Sequence, residues 1–272
     1  MSLVRYERDA RNPRIGYVTL NRPEKLNALS RALLRELRAT WAEVAQDTTT
    51  RVIIFRGEGR AFCAGADLGI DRRDSFAGEQ SLSADRERVH EMLGAAFDAW
   101  ELPKPVIAQV HGFLFAGGLL YPLLSDIVVF EETCRIGWPK LPVGGGMIGP
   151  AFSWMIGPYR AKEFSFNVGC EFSGKEAVAM GFGNYAVPKE QLESTVRELA
   201  ERIARVPGDM LALKKAAVNG QFDAQGFKQA VLRGAEFDPL VHTTSAVQVA
   251  QHKLHELGIK GAIDWFNREG IP

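Results

Sequence analysis

Two stretches decide how this chain reads: RAFCAGADL at residues 60–68 and PVIAQVHGFLFAGG at residues 105–118. Each lies at the end of a short apolar run that reads as a buried strand, Arg51–Arg56 (RVIIFR) for the first and Val106–Val110 for the second. Each continues into a loop of small residues, Phe62–Leu68 and His111–Gly118. Small residues after a strand let the main chain approach a ligand closely. N–H groups without partners, above all at a helix start, can donate to an oxygen that gathers negative charge. Two such loops from neighbouring strands can aim one N–H each at a single carbonyl oxygen. The competing reading is a pair of tight turns whose small side chains serve packing alone. Neither loop fits G-x-x-x-x-G-K-[ST] or G-x-G-x-x-G, so the nucleotide-loop readings fail.

Outward from these loops, the pattern predicts an α/β or α+β chain. Strand-like alternation marks Val4–Arg8 and Ile15–Leu20, with a turn at Asn12-Pro13 between them. Ser30 is a plausible N-cap for a helix carrying Leu33, Leu34, Leu37, Trp41 and Val44 at helical spacing. Residues 69–83 read as a mobile loop, and Asp85–Glu101 as a helix stopped by Pro103 and Pro105. Further strands are expected at Asp126–Phe130 and Cys134–Ile136, and helices at Arg160–Asn167 and Gly174–Met180. Beyond Glu190 the helical period dominates, at Glu190–Arg205, Met210–Asn219, Phe222–Phe237, Thr243–Leu257 and Ile259–Glu269.

The chain has 272 residues, enough for one domain with a helical appendage. Lys+Arg and Asp+Glu both number 33, so there is no excess of positive charge for general nucleic-acid or membrane-surface binding. Three cysteines, Cys63, Cys134 and Cys170, are widely spaced and form no C-x-x-C. That argues against a disulfide framework or a zinc site and for reduced thiols in the cytoplasm. The N-terminal residues carry charges and no apolar core, so no secretory signal is expected. No apolar stretch approaches the ~18 residues of a membrane span.

Six ordered segments resemble the crotonase (enoyl-CoA hydratase/isomerase) superfamily: LNRPEKLNAL at 20–29, RAFCAGADL at 60–68, PVIAQVHG at 105–112, AGG at 116–118, SDIVV at 125–129 and the segment Gly157–Glu163. The resemblance covers roughly residues 4 to 268. It implies a spiral of β-β-α units over residues 1–200 that binds acyl-CoA, and a C-terminal helical region over 201–272 that makes trimer contacts. It implies a coenzyme A thioester as substrate, with coenzyme A part of that substrate and no tightly bound cofactor or metal. A homotrimer or dimer of trimers is expected. By position, the thioester oxygen would accept from the N–H groups of Ala66 and Gly117. Lys25, Leu26, Ala28, Ala64 and Asp67 would lie along the coenzyme A moiety, and Arg268 near the C-terminus is a candidate for its phosphates.

The departures from the family pattern bear on the chemistry. Hydratases carry a glutamate three residues after the oxyanion glycine, where this chain has Leu120. The position of the second glutamate holds Lys140. Hydration needs one group to activate water and one to deliver a proton, and leucine does neither. Lys140 could serve as a base if burial lowered its pKa, could hold a carboxylate or donate to a leaving group, or could be a solvated surface lysine. Leu120, Tyr121, Trp138 and Gly145 are expected to form the acyl pocket. Pro122 would crowd the carbonyl of Gly118 if a helix began near Gly117. His111 and Cys63 flank the loops, with structural roles as the simpler reading. The implied function is an enolate-stabilising enzyme of the hydratase/isomerase type. The alternatives are a non-catalytic acyl-CoA binder and a hydrolase, decarboxylase or C–C lyase of the same fold.

Overall fold

The structure is a computed structural model and describes residues 2–68, 81–144 and 148–271. Most of the expected loop 69–83 lies outside the described residues, as does Gly145. The strands are β1 (Val4–Arg8), β2 (Ile15–Leu20), β3 (Val52–Gly57), β4 (Val106–Val110), β5 (Phe113–Phe115), β6 (Ile127–Glu131), β7 (Arg135–Gly137), β8 (Glu171–Ser173) and β9 (Tyr185–Val187). The helices are α1 (Arg31–Gln46), α2 (Leu82–Glu101), α3 (Leu120–Leu123), α4 (Ile148–Ile156), α5 (Pro158–Phe166), α6 (Gly174–Met180), α7 (Lys189–Ile203), α8 (Gly208–Ala224), α9 (Phe227–Ala235), α10 (Phe237–His242) and α11 (Ser245–Glu269).

The larger sheet has the order β1-β2-β3-β4-β6-β9 and the smaller one β5-β7-β8. Only the β1–β2 hairpin is antiparallel in the larger sheet; every other pairing there is parallel. Parallel strands need cover on both faces, and the alternation of β3 supplies it. Ile53 and Phe55 join the core on one side with Leu33, Leu37 and Trp41 of α1. Val52 and Ile54 join Ile107 and Val129 on the other, under Leu192 and Val196 of α7. Ser30 caps α1, its hydroxyl accepting from Leu33 N–H at 3.2 Å. Trp41 stands edge-on to Phe55 with centroids 5.3 Å apart. Truncating a fully buried aromatic of this kind typically costs about 3–5 kcal/mol.

The sheet register positions the site. Ile53 pairs with Val106 and Arg56 with Gln109, so β3 and β4 end side by side and their following loops leave the same sheet edge. Ligand crevices in open parallel sheets form at the carboxyl ends of strands.

The helical tail departs from expectation in its breaks. Gly226, at φ 93°, separates α8 from α9 within the expected helix 222–237, and Glu236 separates α9 from α10. The helices expected at 243–257 and 259–269 run on as α11, kinked at Gly258 (φ 67°, ψ 175°). Pro122 causes no clash, because a 3-10 turn over Ala116–Leu119 precedes α3 and places the proline within its first turn. Among the described residues, no helix is long and apolar enough to cross a membrane, and no group of three or more His, Cys, Asp or Glu could hold a metal ion.

Candidate active site

The two small-residue loops lock together. Cys63 N–H donates to the Phe113 carbonyl at 3.2 Å, and Phe115 N–H to the Cys63 carbonyl at 3.0 Å. Leu29 N–H donates to Gly65 O at 2.8 Å, and Asp67 N–H to Leu29 O at 3.1 Å. That pattern, an isolated parallel bridge between Leu29 and Ala66, uses the groups on either side of Ala66 and leaves the Ala66 N–H on the side away from Leu29. Gly117 is the second residue of the 3-10 turn, where an N–H has no acceptor inside the helix.

Glycine is required where the loops touch. Gly65 has φ +87°, and a Cβ there would lie 2.8 Å from Phe115 O, 2.9 Å from Ala116 Cβ and 3.3 Å from Gly117 N. The residues at 65 and 117 are therefore in near contact. Leu26, Asn27 and Ala116, the non-glycine residues with positive φ among those described, all border these loops. Such strain persists where surrounding structure over-determines the backbone. Buried Asn27 is the main brace. It donates to Glu58 O at 3.0 Å and Ala61 O at 2.8 Å, and accepts from Arg22 N–H at 2.9 Å.

A cavity of about 300 Å³ opens beside the loops, with Ala64, Ala66 and Gly117 in its wall. Val89 and Met92 of α2 face them, and Trp138 and Lys140 come from the chain after β7. The cavity floor also receives α10 and α11 through His242, Leu254 and Ile263.

The structure thus brings Ala64, Ala66, Gly117, Trp138 and Lys140 to one cavity. It does not bring Leu120 or Tyr121 there. The turn over 116–119 rotates both inward, Leu120 to 0% exposure and Tyr121 to 1%, with the Tyr121 ring edge-on to Phe55. Burial holds the Tyr121 phenol well above its ordinary pKa. Lys25 and Leu26 stand outside the cavity wall, beside the Ala64 loop, where Ala64 N–H donates to Leu26 O at 3.0 Å. Ala28 is buried behind them and its carbonyl accepts from Arg22. Asp67 pairs with Arg22 at 2.5 Å and so ties the first loop to residue 22. Arg268 is exposed on α11, its Nε donating to Asp264 O.

Lys140 Nζ lies 2.8 Å from Glu171 Oε1, and Arg135 binds the same carboxylate. Lys140 therefore sits at the cavity rim with its Nζ directed to a carboxylate. Cys63 is fully buried, and its thiol is pushed up to about 12 by desolvation, which removes it as a nucleophile at neutral pH. His111 Nε2–H donates to the Gly59 carbonyl at 2.9 Å, a structural tie away from the cavity.

The largest surprise is a cluster of ionisable side chains at the cavity wall, three of them, Arg88, Asp238 and His242, lining it and Asp85 packed behind. Asp85 and Arg88 on α2 and Asp238 on α10 are each 5–7% exposed. His242 Nδ1 lies 2.5 Å from Asp85 Oδ2, and Arg88 pairs with Asp85 across one helical turn. Desolvation pushes the His242 imidazole below its ordinary pKa. Asp238 pulls it up, Arg88 pushes it down, and a main-chain hydrogen bond at Val143 pulls it up again, with a net downward shift. Sequence reading overlooked all four residues. The available signal was two charged side chains, Asp85 and Arg88, set within the apolar stripe of Val89, Met92 and Ala96. Asp238 and His242 fell between two expected helices.

Comparison with known proteins agrees with this architecture. The family model "Enoyl-CoA hydratase/isomerase" matches residues 10–254. A Mycobacterium tuberculosis protein described as an enoyl-CoA hydratase is 33% identical over 250 residues, 84% of this chain and 77% of its own. A mevalonyl-coenzyme A hydratase of Beauveria bassiana is 30% identical over 216 residues, 76% of each chain. A crystal structure of an enoyl-CoA hydratase/isomerase from Xanthobacter autotrophicus superimposes with a TM-score of 0.90 at 27% identity, covering 98% of both chains. The strand order, the paired loops and these matches together establish that the chain belongs to the enoyl-CoA hydratase/isomerase family and has the crotonase fold.

Proposed function

We propose that this protein is an enzyme acting on acyl-CoA thioesters, in which the N–H groups of Ala66 and Gly117 hold the thioester oxygen and stabilise an enolate-like state. The observation that carries the reading is the near contact of residues 65 and 117 at one cavity wall, with both candidate donors left out of the loop hydrogen bonds. Donors fixed before reaction stabilise charge as it develops, without reorganising, and favour the enolate over the ground-state carbonyl. Trp138 and the α2 stripe form the acyl wall. Lys25, Leu26, Ala28, Ala64 and Asp67 follow the coenzyme A moiety, and Arg268 serves its phosphates. Gly145 belongs to the acyl end of the pocket. The spiral core over 1–200 carries the site. The helical region over 201–272 makes the contacts of a homotrimer or dimer of trimers, in keeping with exposed Leu213, Val218, Leu240 and Ile259. The free cysteines suit a cytoplasmic location.

The test is turnover of crotonyl-CoA and longer enoyl-CoAs, with products resolved by mass. Hydration or double-bond migration supports the reading. Tight binding without turnover across the panel makes the protein a binder instead. Carbon–carbon cleavage is the second reading: a Pseudomonas fluorescens relative named hydroxycinnamoyl-CoA hydratase-lyase is 32% identical over 196 residues, 70% of this chain.

A further inference from the structure

The wall facing the main-chain loops is mostly apolar, with Val89, Met92, Ile148 and Leu254, yet it holds Arg88, Asp238 and His242, with Asp85 behind His242. Taking such groups out of water costs several kcal/mol per ion unless geometry and hydrogen bonds offset it. A pocket that only enclosed an alkyl chain would gain nothing from them. We propose that His242, oriented by Asp85, is the group that moves protons to and from the acyl chain, the task for which Leu120 and Lys140 are not equipped. This rests on the acyl-CoA reading above.

Three observations carry it. First, His242, Ala66 and Gly117 line the same cavity of about 300 Å³. A chain anchored at the two N–H groups extends into the space that His242 borders. Second, the ring presents one nitrogen for exchange. The carboxylate at 2.5 Å assigns the proton to Nδ1, which leaves Nε2 as the exchanging atom. Nε2 lies beside Gly144: a Cβ there would lie 3.2 Å from it and 3.8 Å from Asp238 Oδ1, so any side chain at 144 would crowd this nitrogen. The Val143 main chain is the ring's other partner and can accept from the charged ring between turnovers. Third, Asp85 is itself held, by Arg88 on its other oxygen. A carboxylate so fixed sets the tautomer and stabilises the imidazolium, so Asp85 is a positioning residue.

In the step, Nε2 takes a proton from the carbon next to the thioester carbonyl. The C–H electron pair moves into the carbon–carbon bond, and the carbonyl pair moves onto oxygen, facing Ala66 and Gly117. The imidazolium then returns the proton. Return to the same carbon gives exchange; return to the γ carbon of a β,γ-unsaturated chain moves the double bond into the α,β position. No outside atom or electron is needed, and a single acid–base group suffices.

The test follows deuterium uptake from D2O into the α position of butyryl-CoA by NMR, with its Kd measured by calorimetry, for the wild-type protein and His242→Gln. General acid–base groups contribute roughly 10²–10⁴-fold. His242→Gln is therefore expected to slow exchange at least ~100-fold with Kd within about threefold, and free imidazole is expected to restore part of the rate in His242→Gly. Asp85→Asn is expected to slow exchange less and to move the acid limb of the pH profile, a limb that also feels Arg88 and Asp238. An equal exchange rate in wild type and His242→Gln, or wild-type binding with no exchange, overturns the role of the pair. Wild-type protein that does not bind butyryl-CoA overturns the acyl-CoA reading itself.

Discussion

Replacing Ala66 by proline would remove one main-chain donor without breaking the bridge to Leu29. The segment around Ala66 bonds to Leu29 through Gly65 O and Asp67 N–H, so the Ala66 N–H contributes nothing to that bridge. The fold should therefore keep its loop contacts. The functional loss follows from the donor alone: removing one oxyanion donor typically costs about 10²–10³ in rate, or about 2.7–4 kcal/mol. The proline ring also projects where the thioester oxygen would sit, which adds to the loss. The assay is kcat on the best enoyl-CoA found, beside the Kd for free coenzyme A and the melting temperature. An ester in place of the Ala66 peptide N–H, introduced as L-lactate, separates donor loss from the bulk of the ring. A fall of at least ~100-fold in kcat in both, with coenzyme A affinity and melting nearly unchanged, is expected. Ester-substituted protein with wild-type kcat would refute the assignment of Ala66.

Other predictions concern the surroundings of the site and the stability of the fold. Gly65→Ala should lower the melting temperature and abolish turnover together, since a left-handed alanine costs roughly 1–2 kcal/mol and its Cβ meets Phe115 O at 2.8 Å. Lys140→Gln should leave the shape of the pH–rate profile intact, because a cation tied to Glu171 is not the base; loss of a limb would return Lys140 to that role. Burial alone would raise the Asp47 carboxyl, but hydrogen bonds from Arg8, Tyr6 and Thr50 outweigh it and hold the group far below the ordinary range. A depressed carboxylate stabilises the fold above its unfolded pKa of about 3.9 and loses that contribution as pH falls toward its folded value. Asp47→Asn should therefore destabilise the protein at pH 7 by denaturant melts and much less near pH 2. Cys63 and Cys134, both pushed up to about 12 by burial, should resist thiol reagents until the protein unfolds.

The sequence carried the fold where one signal was strong in one place. Ser30 before the stripe Leu33–Val44 marked α1, and Val106–Val110 marked β4 to the residue. The three-residue strands β5, β8 and β9 were not legible, because so short a run has no period to detect and exists only through its partner strand. α4 was missed because its sequence, IGPAFSWMI, is apolar almost throughout and has Gly149-Pro150 near its start. The paired loops were legible because small residues followed two buried runs, and strand register then made them neighbours. The direction of Leu120 and Tyr121 was not, since a 3-10 turn rather than an α-turn precedes them. The His242–Asp85 pair spans 157 positions and exists only because α10 packs on α2. No local pattern could announce it.

The most direct measurement is a crystal structure of the protein with acetoacetyl-CoA bound. The account predicts the thioester oxygen about 2.7–3.1 Å from both Ala66 N and Gly117 N. A thioester oxygen beyond hydrogen-bond reach of either nitrogen, or an acyl group seated outside the cavity of Trp138 and Met92, would contradict it.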